Sequence, residues 1–492
     1  MDRFPLLLAI LSAGIGLFIG FEPGPLRFAE LLFIAPVGRW TYCAFRPEEG
    51  RRKSWVLELG GVRWNEADFC RGWEIDGRTG SGKTASGVVP ILYALKKNRP
   101  EVGILALDTK GDLGEPIEAI AADLNRIDDL RPLEVRPDGA PRDWEPRFAM
   151  NLVADRSIPF STYAKLLVDV ATAAGQKGGQ AFFKNAAQVA IQNGLATLAV
   201  LDKAVTVDNC YALITDATEL AMRVKALEKS NHPLQPSLMD YYREFIKQPP
   251  EQLGGIRSTV FNYLHPYTTP DIAEVFCSTD ATFDLKEIDE GRLIYVKIPQ
   301  KYQTEKRYIG LFIKVLYYLH ALRRYDLPSR ERARRNLIVG AFDEAQEAVL
   351  LSEDGISDYN VVDKIRGARA TAIYSSQSPT SYIPPMGSRE KADVFLLNLG
   401  NKIYFTAADK QASEMIADSI GKRTIKKPTW STGGGKRSVS WTEHDEHLIK
   451  PHVLRSLPKH VAIIRHCEKP YRRVYLPPSR FTKPIPAPAL SA

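Results

Sequence analysis

Short apolar runs recur along the chain between longer stretches of mixed polarity. Uninterrupted runs of this length are typical of strands that are buried on both faces of a parallel sheet. A helix-compatible stretch at 85–95 follows the short run at 73–75, although Pro90 is expected to kink that helix. The pattern therefore predicts an α/β fold with a mostly parallel central sheet. The predicted strands are residues 54–64, 73–75, 102–107, 293–298, 337–342, 370–374 and 403–406.

The pattern changes between residues 155 and 252, where apolar residues recur every three or four positions. That spacing is typical of amphipathic helices. It predicts an all-helical insertion within the sheet domain, with helices at 163–174, 181–201, 208–227 and 236–246.

Residues 4–21 are uncharged and long enough to cross a bilayer. A cleaved signal peptide is the alternative, but the run is long for one and no clear A-x-A site follows. Basic residues are dense after the run and only Arg3 precedes it, which predicts a cytoplasmic location for the bulk of the chain. Residues 26–37 are shorter and carry charges, which favours an interfacial helix.

Composition narrows the class of protein. The 492 residues are enough for two or three domains. A net charge of +8 favours an anionic partner such as nucleic acid or an anionic lipid surface. The cysteines have no C-x-x-C spacing, which argues against a zinc site or a disulfide framework and fits a reducing cytosol. They are Cys43, Cys70, Cys210, Cys277 and Cys467.

A glycine-rich segment, GRTGSGKT, fits the phosphate-binding pattern G-x-x-x-x-G-K-[ST]. Its strand and helix flanks make a chance match the weaker interpretation. Lys83 is expected to reach the β- and γ-phosphates of a bound nucleotide, and the Thr84 hydroxyl to hold Mg²⁺. The predicted nucleotide-binding residues of this P-loop are Gly77, Arg78, Thr79, Gly80, Ser81, Gly82, Lys83 and Thr84.

Two adjacent acids follow the apolar run at 337–342. Because acids at the carboxyl end of a buried parallel strand lie beside a phosphate site, we expect both to face the P-loop. Asp343 is the predicted ligand of the Mg²⁺ shell, and Glu344 is predicted to orient and activate the attacking water. Separate roles for the two acids favour hydrolysis over nucleotide storage.

The order of these features resembles one family, the type IV coupling proteins, which are the TraG/TraD-like ATPases of bacterial conjugation. The P-loop is followed by LALDTKGD at 105–112, the helical insertion, AFDEAQ at 341–346 and a strand that ends in Gln377. The resemblance extends over nearly all of residues 72–476. Relatives carry two membrane helices, whereas one convincing span is present in this sequence.

The resemblance implies a RecA-like P-loop ATPase that is anchored in the bacterial inner membrane and assembles as a homo-hexamer. It would use ATP and Mg²⁺ to deliver DNA, expected to be single-stranded, with its relaxase to a type IV secretion channel. Gln377 matches the glutamine that senses the γ-phosphate. Arg366 matches the position of an arginine that a neighbouring subunit would supply, with Arg369 as the alternative and a solvated basic helix as a further interpretation.

These observations predict five segments along the chain. They are an anchor and interfacial segment (1–45), a first nucleotide-binding part (46–154), an all-helical domain (155–256), a second nucleotide-binding part (257–476) and a Pro-rich tail (477–492).

Weaker signals leave alternatives open. Asp108 and Lys110 follow a strand that we expect next to the P-loop strand, so they face the nucleotide or form a structural turn. Basic residues with Trp430 and Trp441 around a triple glycine predict a flexible loop that is either DNA-binding or merely solvated. His444 and His447 have a spacing that could bind a metal, but such a stretch is more often a surface loop. The SSQS serines at 375–378 lack a histidine partner in the sequence pattern, so a hydrolase triad is not supported.

Two other functions share parts of this pattern. A hexameric DNA motor of the FtsK/HerA kind would use the same ATPase core. A membrane receptor that recruits secreted protein, with ATP as a switch, would bind nucleotide without DNA-stimulated turnover.

Overall fold

The computed structural model describes residues 55–176, 180–433 and 436–481. The predicted anchor at 4–21, the interfacial helix at 26–37 and most of the Pro-rich tail lie outside these ranges. Within the described ranges, none of the helices is both long enough and apolar enough to cross a membrane.

A nine-stranded sheet forms the centre of the fold. Its strands are β3 (Trp73–Asp76), β4 (Gly103–Asp108), β5 (Leu130–Glu134), β6 (Leu293–Lys297), β7 (Ile338–Asp343), β8 (Ala370–Ser376), β9 (Asn401–Tyr404), β12 (Val461–Arg465) and β13 (Arg472–Tyr475). They lie in the order β13-β12-β9-β3-β8-β7-β4-β6-β5. The strands from β9 to β5 are parallel, and β12 and β13 extend the β9 edge antiparallel. The expected mostly parallel sheet is therefore confirmed.

Both faces of the sheet are covered, which explains why its strands appear in the sequence as continuous apolar runs. In β7, Ile338 and Phe342 join one hydrophobic cluster, which includes the helical segment. Val339 and Ala341 join a second cluster on the other face. Alternation of side chains along a strand thus fills two cores rather than one core and a solvent face.

The strand order corrects one sequence-based expectation. β4 does not lie next to the P-loop strand β3, because β7 and β8 stand between them. β4 instead pairs with β7, so that Asp108 is in register with Asp343. Because β3 and β4 follow one another in the sequence, they are expected to be neighbours in the sheet. The connection between them instead crosses the positions of β8 and β7.

The single strand expected at 54–64 is wrong, because this segment is a hairpin of β1 (Leu57–Leu59) and β2 (Val62–Trp64) outside the main sheet. Gly60 and Gly61 make the turn with φ of 57° and 73°. Two successive residues with positive φ define the tight turn that matches the twist of paired strands. The Gly-Gly pair is the sequence feature that could have predicted this turn.

The helical segment enters and leaves the sheet domain at one place, where Asn151 and Cys277 form an antiparallel bridge. The helix expected at 208–227 is two helices, because Asp216 caps the second one by accepting from the amides of Thr218 and Glu219. The predicted limit at 256 falls inside a helix, and the segment continues to Phe276. Its helices are α4 (Phe160–Ala173), α5 (Ala181–Val200), α6 (Val207–Thr215), α7 (Ala217–Leu227), α8 (Gln235–Lys247), α9 (Pro250–Leu264) and α10 (Pro270–Phe276).

The remaining helices pack on the sheet or connect its strands. The helix after the P-loop starts with a π-helical turn, Lys83–Val88, so Pro90 falls in the first turn of the α-helical part, where proline is tolerated. These helices are α1 (Glu66–Phe69), α2 (Val89–Asn98), α3 (Gly114–Asp123), α11 (Gln303–Arg323), α12 (Ser329–Arg332), α13 (Asp358–Ile365), α14 (Ile383–Met386), α15 (Arg389–Asn398), α16 (Lys410–Ile420) and α17 (Pro451–Arg455).

The basic segment around the triple glycine is not a flexible loop as expected. It is a long antiparallel hairpin of β10 (Lys422–Gly433) and β11 (Lys436–His447). His444 and His447 are three residues apart on one strand and therefore point to opposite faces, so they cannot share a metal ion. Ser438, Ser440 and Thr442 alternate with other residues in β11, but the charges and glycines obscured this strand pattern.

A buried ion pair joins α11 to α13. Lys314 donates to Asp358 at 2.7 Å, and the exposed fractions of the two side chains are 2 % and 1 %. The Asp358 carboxylate also accepts from Tyr318, Tyr374 and the amide of Leu350. Burial lowers the pKa of Lys314 in spite of the carboxylate beside it. Loss of either partner would therefore leave the other as a buried charge without a counter-ion.

We expect Asp358→Ala to lower the free energy of unfolding by about 3–5 kcal/mol, because Lys314 would remain buried and unpaired. Urea unfolding followed by circular dichroism measures the change. Asp240→Ala is the matched control, since Asp240 pairs with Arg243 at the surface, where ion pairs contribute little. Equal unfolding midpoints for the two variants would contradict the prediction.

Candidate nucleotide-binding site

The P-loop connects the fully buried strand β3 to the helix that begins at Lys83. Gly80 and Gly82 turn the loop with φ of 79° and 100°, in the left-handed region that favours glycine. The amide of Arg78 donates to Thr406 and that of Ser81 donates to Arg78. The first amides of the helix lack intrahelical partners by geometry, so the loop and the helix dipole form a site for phosphate.

The P-loop lysine lies against the two acids that follow β7. The Lys83 Nζ is 3.2 Å from Glu344 Oε1 and 3.9 Å from Asp343 Oδ1, and all three side chains are buried. β8 separates β3 from β7 in the sheet, which places the carboxyl ends of all three strands at one edge. The structure thus brings together residues that are about 260 positions apart in the sequence.

The oxygen atoms suited to Mg²⁺ also meet at this edge. Thr84 Oγ1 donates to Asp343 Oδ2 at 2.8 Å. A hydroxyl and a carboxylate are hard oxygen ligands of the kind that Mg²⁺ binds together with nucleotide phosphates. The Ser81 hydroxyl is buried beside them and has no hydrogen-bond partner among the described residues. The donor set therefore fits a magnesium–nucleotide complex.

Glu344 is held by several donors. It accepts from Lys110 Nζ at 2.5 Å and from Gln346 at 2.8 Å. Burial by itself raises the pKa of Glu344, but the hydrogen bonds from Lys110 and Gln346 and the Lys83 charge outweigh it and hold the pKa at about 2. Its φ of 48° is left-handed and unusual for a residue with a side chain, as found at functional sites. The carboxylate is therefore fixed in its charged form.

Gln377 follows β8 directly, between the P-loop strand and the acid-bearing strand. Its Nε2 lies 3.5 Å from Glu344 Oε2, and its side chain is otherwise exposed. This places the amide at the same edge as the P-loop, where the predicted phosphate sensor is needed. Its sensing role stays a prediction.

The two candidate arginines differ in their surroundings. Arg366 is exposed and lies in the turn Arg366–Ala368, before the first residue of β8. Since a strand of this length spans about 20 Å, it lies at the opposite edge of the sheet from its own P-loop. Arg369 forms a two-pronged ion pair with Glu66 at 2.6 and 2.8 Å. The contacts favour Arg366 over Arg369 for a role in a neighbouring subunit.

The hydrogen bonds of Asp108 are made within the turn that follows β4 rather than with the residues of the P-loop. Its carboxylate accepts from the amides of Lys110, Asp112 and Leu113. Burial and the nearby Asp343 charge raise the pKa of Asp108, against these hydrogen bonds. These contacts favour the turn-forming alternative, while Lys110 is the residue of this turn that reaches Glu344.

His460 contacts the P-loop, although no sequence pattern pointed to it. Its amide donates to Ser81 O at 3.0 Å, and its Nδ1 hydrogen-bonds with Ser86 Oγ at 2.7 Å. A Cβ added to Gly82 would lie 2.5 Å from this ring nitrogen, so glycine is required for the close approach. His460 itself has a φ of 66°. Nothing in the local pattern signals a histidine that braces a loop some 380 residues away.

Comparisons with known proteins identify two matching family models. The model described as "Type IV secretory system Conjugative DNA transfer" matches residues 48–333, more than half of the chain. The model described as "TraM recognition site of TraD and TraG" matches residues 341–459. None of the curated protein sequences matches significantly.

Solved structures of the bacterial conjugative coupling protein TrwB share the fold. An unbound form has 14 % identity and a TM-score of 0.61, covering 91 % of this chain and 93 % of that one. A complex of TrwB with the GTP analogue GDPNP has 13 % identity and a TM-score of 0.63, covering 88 % and 92 %. A complex with ADP and Mg²⁺ has 13 % identity and a TM-score of 0.61, covering 88 % and 91 %.

Removal of Lys110 is expected to raise the pKa of Glu344. Because folding lowers this pKa from 4.5 to about 2, the carboxylate stabilises the fold above its unfolded pKa, and this contribution is lost as the pH falls toward 2. Lys110→Ala should therefore cost about 1 kcal/mol above about pH 6, a figure limited by the half-exposed lysine. The difference should shrink between about pH 5 and about pH 3.

Thermal unfolding across this pH range measures the effect. Lys301→Ala is the control, since Lys301 pairs with the exposed Asp138 and should produce a smaller difference. A Lys110→Ala deficit that grows as the pH falls would contradict the assignment.

Proposed function

The chain belongs to the type IV secretory system conjugative DNA-transfer family, and we propose that it is a membrane-anchored coupling ATPase. It delivers DNA with its relaxase to a type IV secretion channel as a homo-hexamer. The apolar run at 4–21 and the basic residues after it support anchoring in the bacterial inner membrane, with the bulk of the chain in the cytoplasm.

The contact of Lys83 with Asp343 and Glu344 carries the proposal of ATP hydrolysis. TrwB structures are described in complex with an ATP analogue and with ADP and Mg²⁺. The same chemistry is available in this chain, because Thr84 and Asp343 would hold the Mg²⁺ and Lys83 the phosphates. Bound Mg²⁺ supplies positive charge that neutralises the developing charge on the phosphates.

The residues perform distinct steps. Lys83 exchanges its contact with Glu344 for the β- and γ-phosphates when ATP enters. Glu344, charged and now freed from Lys83, orients a water and accepts its proton as the water oxygen bonds to the γ-phosphorus and the bond to ADP breaks. Gln377 lies between β3 and β7 and connects loss of the phosphate to the loops beyond β8.

In a ring of subunits, a neighbouring chain would supply the arginine that the nucleotide site of a single chain lacks. The exposed Arg366 lies at the sheet edge away from its own P-loop. It could therefore act only on the nucleotide of a neighbouring subunit, where an arginine stabilises charge in the transition state. This geometry supports an assembly in which each site is shared by two subunits.

Lys83→Ala is expected to abolish ATP binding and hydrolysis, because the phosphates lose their buried cation. Glu344→Gln should keep or improve ATP binding, since Lys83 loses a competing carboxylate, and should slow hydrolysis by about 10²–10⁴-fold. Phosphate release, measured with and without single-stranded DNA, and titration with a fluorescent ATP analogue separate the two effects.

Glu353→Gln, an exposed acid on the loop after β7, is the matched control and should behave as wild type. Full turnover by Lys83→Ala would refute the site. Turnover that DNA does not stimulate, together with tight binding of a secreted protein, would favour the receptor alternative.

Arg366→Ala is expected to lower turnover by about 10³–10⁵-fold, as loss of an arginine supplied to a phosphoryl-transfer site does. Mixing Arg366→Ala with Lys83→Ala protein should restore part of the activity, because intact P-loops would meet intact arginines across subunits. Arg369→Ala, which breaks the pair with Glu66, should instead lower thermal stability. Absence of recovery in the mixture would exclude action between subunits.

A further inference from the structure

Among the described residues, the contacts that hold the β10–β11 hairpin to the rest of the fold lie at its base. Lys422 and His447 both contact Asp418 of α16 at 2.9 Å. Beyond this point the described side chains of the hairpin are largely exposed on both faces. A two-stranded hairpin is marginally stable by itself in water, so a twelve-pair hairpin whose described side chains are this exposed is a surface suited to a partner.

One face of the hairpin presents two tryptophans. Trp441 pairs with Pro428 and Trp430 pairs with Val439, which places all four side chains on the same face in adjacent cross-strand pairs. The exposed fractions of Trp430 and Trp441 are 68 % and 64 %. Indole rings displayed side by side on a strand surface form a platform on which flat rings can stack.

The positive charge of this part of the chain favours an anionic partner. Residues 426–442 contain four basic residues and no acidic one. Among the acids of β11, Glu443 lies directly opposite Lys426, and Asp445 and Glu446 lie nearer the base. The register of the two strands places Lys426 on the tryptophan face. It lies opposite Glu443, and the two charged groups are 3.6 Å apart. Both side chains are mostly exposed, so this ion pair is weak and the lysine can be recruited by phosphate.

The chain segments on either side of the hairpin contact the P-loop. Before the hairpin, Thr406 accepts from the amide of Arg78 at 2.9 Å. After it, the amide of His460 donates to Ser81 at 3.0 Å. The segment that carries the hairpin is therefore hydrogen-bonded to the P-loop backbone on both sides of the hairpin.

We propose that the tryptophan face of the β10–β11 hairpin binds single-stranded DNA, by stacking bases on Trp430 and Trp441 and by contact of Lys426 with phosphate. The proposal rests on the proposed function and identifies its DNA-contacting element. Single strands are favoured because the bases of a duplex are stacked within the helix and cannot reach the indoles. Stacking is tolerant of sequence, as a motor that moves along DNA requires.

The test uses the full chain and a fluorescein-labelled oligo-dT, followed by anisotropy. Trp430→Ala/Trp441→Ala should bind about tenfold or more weakly, while basal ATPase activity without DNA is unchanged. Trp430→Phe/Trp441→Phe should retain most of the affinity, because phenyl rings also stack. Leu397→Ala, another exposed apolar side chain, is the control and should bind as wild type.

Salt dependence tests the phosphate contact. Lys426→Ala should reduce the slope of log affinity against log salt by about 0.7, the value for one phosphate contact on a single strand. Lys427→Ala, on the opposite face of the hairpin, should change the slope less. Equal slopes for the two variants would overturn the assignment of the face.

The outcomes separate this proposal from the proposed function. If wild type hydrolyses ATP with DNA stimulation but the double alanine variant binds DNA equally well, the hairpin proposal fails and the ATPase stands. If the double variant keeps DNA affinity but changes oligomeric state in light scattering, the face contacts a second copy and the proposal is overturned. If wild type shows no ATPase activity while the variants lose DNA binding, the hairpin proposal stands and the motor function fails.

Discussion

The arrangement of the central sheet depends on one buried lysine charge that lies beside two carboxylates. Lys83 is excluded from solvent and contacts Asp343 and Glu344. A buried ammonium without partners is costly, whereas a paired one is tolerated. The acids must therefore stand at the same end of the sheet as the P-loop, as they do because β3 and β7 are parallel and only β8 lies between them. The apolar character of those strands follows, because helices have to cover both faces of a parallel sheet.

The same arrangement determines the charge state of Glu344, the acid to which the proposed function assigns the activation of water. Lys83, Lys110 and Gln346 together hold this carboxylate in its charged form. In the proposed function, a nucleotide phosphate would compete for Lys83 but would leave Lys110, which lies on the turn after β4, the strand that pairs directly with β7. Under the proposed function, Glu344 would lose one partner and keep another, so its charge and position would persist when a water has to be oriented. The DTKG turn, held by Asp108, is what keeps Lys110 in reach.

Sequence patterns predicted the features that local chemistry determines and missed those that depend on distant packing. The P-loop, the acids after β7 and the central strands carry patterns of spacing and apolarity, and the resemblance to coupling proteins is confirmed by the family match. The neighbour of β3 could not be predicted, because strand order depends on crossovers. The β10–β11 hairpin was hidden by its charges and glycines. His460 was missed, since its left-handed backbone and its contact with Ser86 arise only when β12 lies beside the P-loop.

The contacts of the P-loop also join the candidate nucleotide site to the segment that carries the hairpin. The loop is bonded to Thr406, which follows β9, and to His460, which precedes β12. These strands pair with each other, and α16, the hairpin and α17 lie between them in the sequence. The ring of His460 fills the space that the missing side chain of Gly82 leaves, so the loop cannot shift toward it without displacing it. Because packed interiors deform little, such a displacement is passed to β12 rather than absorbed. The segment bearing the hairpin is therefore hydrogen-bonded to the phosphate-binding loop near both of its ends.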